Sequence, residues 1–478
     1  MRKSSLFLLM SLCSTLFAFA DGVEKTYDVA TAGTLNTLFD VDKLTIAKLT
    51  LTGSLNGEDL LVIREMAGSD INGVPTNGQL QNLDLSGASI VKGGTYINLE
   101  GQFIYLDIEK TQTLYGFIEG TKTSVANTFG DYLFAGCQQL KSVKTPENLE
   151  KIGERVFSGS GLTSIELNSG LNTIDYCAFW FSKIGSITIP NTVNDIGRRY
   201  WVDNPFAYID QLSSITLEEG NSRYAMSADG KFLIDNTMRA VVCALGDAEI
   251  PEGITTIGSN AFSNRPELIN YIIPEGVTKL TKSNDSESNI GNNTFSQCYN
   301  LESIVIPEGI KVIPSSAFTD CPKLSDVTIP SSVEKIEFNA FGNTGLTEIT
   351  IPANVTYIAS QAFSHNKNLE TVISYIKKPF DINDDVFAKA WDFNNTTYPE
   401  TLKVPYGTKA LYEAKTGWNK ITNIVEMSQT SEITVTANSN STVFDVYNLC
   451  GRKVRSKTTS LDDLPQGIYI INGKKVMK

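Results

Sequence analysis

The sequence predicts a repeat solenoid, and three observations carry that expectation. Phenylalanine recurs at Phe134, Phe157 and Phe179 and again at Phe295, Phe318, Phe341 and Phe363, with steps of 23, 22, 23, 23 and 22 residues inside the two runs. Each step carries one phrase, seen as Leu346-x-x-Ile349-x-Ile351-Pro352, Val355-x-x-Ile358 and Ala362-Phe363. Where a step shortens, the missing residue falls between phenylalanine and the next aliphatic anchor: six residues separate Phe295 from Leu301, five separate Phe341 from Leu346. That places the slack in a turn, where length is tolerated. A period of about 20 to 50 residues marks units that cannot bury an apolar face alone and must stack on their neighbours.

Taken from its start, the chain opens with basic Met1-Arg2-Lys3, an apolar stretch from Leu6 to Ala20 and an Ala18-Phe19-Ala20 cleavage motif before Asp21. Residues 1–20 are expected to be a signal peptide cleaved after Ala20, which implies export to the cell surface or medium. Leu12 before Cys13 is too bulky for a lipoprotein signal, so no lipid anchor is expected. No later stretch reaches the roughly 18 apolar residues of a membrane span. Loss of Arg2 and Lys3 moves the formal net charge from −13 to −15, which disfavours nucleic acid and anionic membranes as partners.

Residues 21–130 carry weaker patterning, in Leu44-Thr-Ile46-Ala-Lys-Leu49-Thr-Leu51 and Leu80-Gln-Asn-Leu83-Asp-Leu85, and read as divergent opening coils that cap the stack. Residues 131–426 carry the repeats. In a typical unit, Leu301-Glu-Ser-Ile304-Val-Ile306-Pro307 is a short strand with Ile304 and Ile306 on one face and Ser303 and Val305 on the other. Pro-Glu-Gly at 251–253, 274–276 and 307–309 supplies the turn, and its glutamates are expected only to solubilise. A second apolar pair, such as Val333-x-x-Ile336, returns the chain to Ala-Phe. Two insertions interrupt the period. The first, near 219–247, contains Asp229-Gly230 between β-prone runs and is expected to be a hairpin. The second, Thr281 to Asn289, is a polar run expected to bulge as a loop.

The phrase L-x-x-[IV]-x-[IL]-P followed by I-G-x-x-A-F, which Ile257-Gly258-Ser259-Asn260-Ala261-Phe262 fits closely, resembles the BspA-like leucine-rich repeats of bacterial surface proteins. The resemblance covers about nine copies over residues 130–425. It implies a right-handed, β-solenoid-like horseshoe of short parallel strands. It also implies a cap near 375–426, where Leu402-Lys-Val404-Pro405-Tyr-Gly407, Tyr412 and Gly417-Trp418 stand. After a polar linker at 427–432, residues 433–478 read as a small all-β domain of short strands broken at Gly451, Gly467 and Gly473. That segment resembles the C-terminal sorting domain of Bacteroidetes type IX secretion.

Chemistry is sparse. The single histidine, His365, sits in a variable turn; neither an H-E-x-x-H pair nor a phosphate-binding glycine loop occurs, so no enzyme and no cofactor are expected. Cys137, Cys298 and Cys321 all follow a repeat phenylalanine by three residues, which reads as one buried slot of free thiols with Cys298 and Cys321 the one pair to test for a bridge. Close ligand spacing such as C-x-x-C is absent, so no metal is expected.

Binding through the outward strand face is the function expected. Strand parity points outward Ser142 and Lys144, Ser164 and Glu166, Ser186 and Thr188, Ser214 and Thr216, Asn270 and Ile272, Ser303 and Val305, Asp326 and Thr328, Glu348 and Thr350. Ile272 and Val305 break a mostly hydroxyl stripe and mark an apolar centre. The family resemblance implies adhesion to host extracellular proteins or to other bacteria. Two alternatives stay open: glycan capture, for which Trp180 and the Tyr200-Trp201 pair are the stacking candidates, and a structural envelope role. Oligomeric state is left open.

Overall fold

The computed structural model describes residues 22–99, 103–108, 112–117, 120–197, 203–278, 293–390, 396–428, 444–447, 453–458, 468–471 and 474–477. The chain is a solenoid whose coils add one short parallel strand each to a common face. Ser142–Lys144 pairs in parallel with Ser164–Glu166, Ser186–Ile189 with Ser214–Leu217, and Asn270–Ile272 with Ser303–Val305 and then Asp326–Thr328. A second ladder of two-residue strands runs behind it, through Thr128–Phe129, Lys151–Ile152, Thr173–Ile174 and Asp195–Ile196, and later through Val312–Ile313, Lys335–Ile336 and Tyr357–Ile358.

The third side of each coil is a tight turn around the phenylalanine. Its amide donates to the next coil, as in Phe295 N to Ala317 O, Phe318 N to Ala340 O and Phe341 N to Ala362 O, each 2.8 Å. Residues two before and two after the ring adopt left-handed backbone, for example Asn339 and Asn343, both at φ 54°. Asparagine, aspartate and glycine recur there because they tolerate that region at least cost. The rings form a spine: Phe134, Phe157, Phe179 and Phe206 stack at centroid separations of 5.6, 5.4 and 5.5 Å. Phe262, Phe295, Phe318, Phe341, Phe363 and Phe387 form a second run, with separations between 4.8 and 5.5 Å and planes within 21°. Phe206 and Phe387 are spine members that the period alone did not reveal.

Between Phe206 and Phe262 the core changes character. Tyr224–Met226, Phe232–Asp235 and Ala240–Ala244 form an antiparallel meander, turning through Gly230 at φ 70°, and its last strand pairs in parallel with Thr256–Ile257. The expected hairpin is therefore an internal partition and no surface appendage. Leu233, Val242 and Cys243 join the apolar cluster of the N-terminal coils, while Phe232, Ile234 and Val241 join that of the C-terminal coils. Phe232 meets Phe262 edge-on at 6.0 Å, which ends the stack on that side. Burial on both faces explains the unbroken apolar runs Phe232-Leu-Ile234 and Ala240-Val-Val-Cys-Ala244. The second expected loop, 281–289, lies outside the described residues.

The opening region holds more than divergent coils. Val23–Val29, Ile46–Leu55 and Asn82–Ile90 are parallel strands that pass directly into Ser142–Lys144, but a helix, Gly57–Met66, is inserted among them. Its N-terminus is a capping box: Asn56 accepts from Glu58 N and Asp59 N, and Asp59 accepts from Asn56 N at 2.9 Å. The fully buried Arg64 on this helix donates from Nη1 to the Tyr132 and Leu133 carbonyls at 3.1 and 2.8 Å, from Nε to the Asp70 carbonyl at 2.9 Å, and from Nη2 to Ser69 Oγ at 2.8 Å. It ties the cap to the first repeat. At the other end Trp418 packs on Phe387 at 5.6 Å and donates to the Phe380 carbonyl, while Tyr412 OH donates to the Ile376 carbonyl. Phe444–Tyr447, Lys453–Thr458, Ile468–Ile471 and Lys474–Met477 form a separate four-stranded antiparallel sheet.

One turn glutamate does more than solubilise. Glu308 accepts from the amides of Ser331 and Ser332 and from Ser331 Oγ, at 3.0–3.2 Å, and so joins its turn to that of the following coil. A carboxylate receiving several N–H and O–H donors is a strong acceptor.

Cys137, Cys177, Cys243, Cys298 and Cys321 are buried and unbridged. In the repeat slot, Cys298 Sγ donates to the Phe262 carbonyl and Cys321 Sγ to the Phe295 carbonyl, both at 3.2 Å. Burial pushes the Cys137 thiol up to about 11 and the Cys177 thiol up to about 12, so the nucleophilic thiolate is suppressed. Iodoacetamide at mildly alkaline pH is expected to spare these five cysteines in the native protein and alkylate all of them after denaturation without reductant. Peptide mapping by mass spectrometry reads the result, and native labelling of any would contradict the burial described.

Candidate binding face

Register turns single strand positions into continuous rows. On the N-terminal sheet Ser142 stands beside Ser164 and Lys144 beside Glu166, and on the next pair of rungs Ser186 stands beside Ser214 and Thr188 beside Thr216. On the C-terminal sheets one row runs Asn270, Ser303, Asp326 and then Glu348, Thr371, Thr401, Asn423. Its companion runs Ile272, Val305, Thr328 and then Thr350, Ile373, Lys403, Val425. The alternate residues Ile187, Ile215, Tyr271, Ile304, Ile349, Val372 and Leu402 are buried in the core.

Ser186, Thr188, Ser214, Thr216, Asn270, Asp326 and Glu348 are exposed, and Ile272, Val305, Thr328 and Thr350 are half-buried. Ser303 is a correction: it lies in the outward row but is 7% exposed, and its Oγ donates to Asn270 Oδ1 at 2.6 Å. Rungs stand only ~4.8 Å apart, so a short serine between Asn270 and Asp326 is roofed by its longer neighbours.

The two halves of the face differ in charge and polarity. In the N-terminal half Lys144 lies 3.9 Å from Asp84 and 3.5 Å from Glu166, so one cation bridges two carboxylates there. In the C-terminal half exposed Glu302, Glu370 and Glu400 precede their strands and are aligned by backbone bonds, Glu302 N to Ile269 O and Glu400 N to Glu370 O. Ile269, 50% exposed, begins that edge, its carbonyl accepting from the Glu302 amide. Val425, 44% exposed, and half-buried Ile373 lie at its far end, with Lys403 between them 3.6 Å from Glu348. Thr371, Ile373, Lys403 and Val425 were missed from sequence, although Thr401-Leu-Lys-Val404 alternates plainly.

Other candidates have structural explanations. His365 occupies the left-handed position two residues after Phe363, at φ 60°, where its amide donates to the Ala388 carbonyl and Ser364 Oγ lies 3.0 Å from Nδ1. Partial burial lowers its pKa. Trp180 is half-buried under the Arg155 guanidinium, 4.8 Å from its ring, and packs on Phe181 and Tyr208. Tyr200 and Trp201 lie outside the described residues, as do residues 1–20, expected to be a signal peptide, and Cys450. Among the described residues no group of three or more His, Cys, Asp or Glu side chains is placed to hold a metal ion, and no helix is long and apolar enough to cross a membrane.

The BspA type leucine rich repeat region matches in six copies, over residues 122–228, 241–284 and 288–414. Among solved structures, the chain is similar to the pneumococcal vaccine antigen PcpA, at 18% identity and TM-score 0.48, covering 80% of this chain and 79% of that one. A leucine rich cell surface protein from Faecalibacterium prausnitzii A2-165 matches at 17% identity and TM-score 0.38, covering 85% and 84%. A leucine-rich repeat protein from Bacteroides ovatus ATCC 8483 matches at 21% identity and TM-score 0.33, covering 65% and 90%. No curated protein matches. With its repeats matched over more than half its length, the chain belongs to the BspA-type leucine-rich repeat family.

Proposed function

We propose that this chain is an exported, non-enzymatic protein that works at the bacterial cell surface or in the medium, binding host extracellular proteins or other bacteria through its outward strand face. The signal-like residues 1–20 and the sorting-like segment 433–478 support the export part of this reading. The observation that carries the binding part is the pair of aligned rows with Ile272 and Val305 side by side among polar neighbours, since apolar groups held at a surface favour contact with another molecule. Solenoids offer such extended faces to protein partners. Glycan capture ranks second because its described candidate, Trp180, already has a guanidinium over its ring.

The test is binding of the mature protein to arrays of extracellular-matrix proteins and of glycans, beside a variant carrying Val305→Glu and Thr328→Arg. Protein hits weakened at least tenfold in the variant support this reading. Glycan-only hits would replace it with nutrient capture, and silence on both arrays with a structural role.

A further inference from the structure

We infer that the C-terminal half of the strand face takes a cationic polypeptide segment studded with apolar side chains. This inference rests on the reading of that face as a protein-binding surface. Its two halves are chemically distinct. The N-terminal rows are hydroxyl-rich, and both carboxylates beside Lys144 are paired with it. The C-terminal half carries exposed Asp326 and Glu348 in its rows and exposed Glu302, Glu370 and Glu400 along the edge before them, against Lys403, which already lies beside Glu348. A surplus of carboxylates on one face raises the local concentration of cationic partners and repels acidic ones.

Charge alone would attract any cation, but apolar groups stand among these carboxylates. Ile272 and Val305 stand side by side where the C-terminal rows begin, and Ile373 and Val425 lie at their far end. From Val305 through Thr328 and Thr350 to Ile373 is three rung intervals, about 15 Å at ~4.8 Å per rung. An extended segment crossing the rungs spans that in about four or five residues at ~3.3 Å each. The face therefore fits a chain that presents apolar anchors about four residues apart with lysine or arginine between them, the anchors entering between carboxylates that meet the charges.

The probe is a fluorescent lysine peptide with valine at every fourth position, titrated into the full mature chain by anisotropy. Controls replace valine with serine or lysine with glutamate. The expected result is saturable binding of the lysine–valine peptide alone. It should weaken at least tenfold in the Glu302→Lys/Glu370→Lys variant and on raising salt from about 50 to about 500 mM, where the Debye length falls from roughly 14 to roughly 4 Å. Glu166→Lys, on the N-terminal sheet, should change it less than twofold, and unchanged thermal unfolding should show all variants folded. Equal binding of the serine peptide, binding of the glutamate peptide, or an equal effect of Glu166→Lys would overturn the inference. Matrix-protein binding that is lost with Val305→Glu yet indifferent to Glu302→Lys/Glu370→Lys would overturn it too, while leaving the proposed function standing.

Discussion

Replacing Phe318 by alanine is expected to lower stability by about 3–5 kcal/mol, the range for truncating a buried phenylalanine in a core that cannot collapse around the loss. The ring is fully buried and stacked between Phe295 at 5.5 Å and Phe341 at 5.2 Å, so truncation opens a gap in the middle of a column. Collapse is opposed on both sides. The Phe318 amide is fixed to the Ala340 carbonyl at 2.8 Å, and the left-handed residues Ser316 and Asp320 hold the turn that carries it. Phe318→Leu keeps most of the volume and is expected to cost less than about 1.5 kcal/mol, which separates lost packing from a merely sensitive site.

The loss should also be regional. A coil contacts chiefly its neighbours, and the Phe232–Ala244 meander stands between the two apolar clusters. Hydrogen exchange should accelerate first around Phe295 and Phe341 and least in the coils before Phe206. A cost below about 1 kcal/mol, or uniform acceleration along the chain, would show that the spine does not carry the stacking as described.

What could be read from sequence was whatever repeats in one dimension. The period fixed the stack, and strand parity named which side chains face outward, because both follow from spacing along the chain. Depth did not follow. Ser303 has the right parity but is roofed by Asn270 and Asp326, residues 33 and 23 positions away whose side-chain lengths parity ignores. Glu308 reads as a solvated turn residue until register brings the amides of Ser331 and Ser332 to its carboxylate. Phe206 and Phe387 escaped because they fall 27 residues after Phe179 and 24 after Phe363, outside the 22- and 23-residue steps of the two runs. In the opening region the helix did have a local signal, Asn56-x-x-Asp59 before an apolar run, but the leucine pattern on either side favoured a reading as coils.

Arg64→Met is the other substitution with a large expected effect, about 3–5 kcal/mol, and the reason is different. Methionine nearly matches the volume, so the loss is electrostatic. The Leu133 carbonyl loses its charge-assisted donor inside the protein, and the Asp70 and Tyr132 carbonyls keep only their bonds from the Gly73 and Ala135 amides. Each buried acceptor left without a donor costs about 1–3 kcal/mol, and hydrogen bonds to charged donors lie at the upper end. A guanidinium is otherwise an expensive thing to bury, and desolvation does lower its pKa here. It is tolerated because four polar atoms on two coils and the intervening turn converge on its fork. Arg64→Lys should recover little, since an ammonium cannot reach those diverging acceptors from one point. The change should release the cap more than the repeats: limited proteolysis should cut within residues 22–129 while residues 130–426 persist as a resistant fragment. Cleavage spread evenly over the chain would mean that Arg64 supports the whole solenoid and does not serve as the joint between cap and first coil.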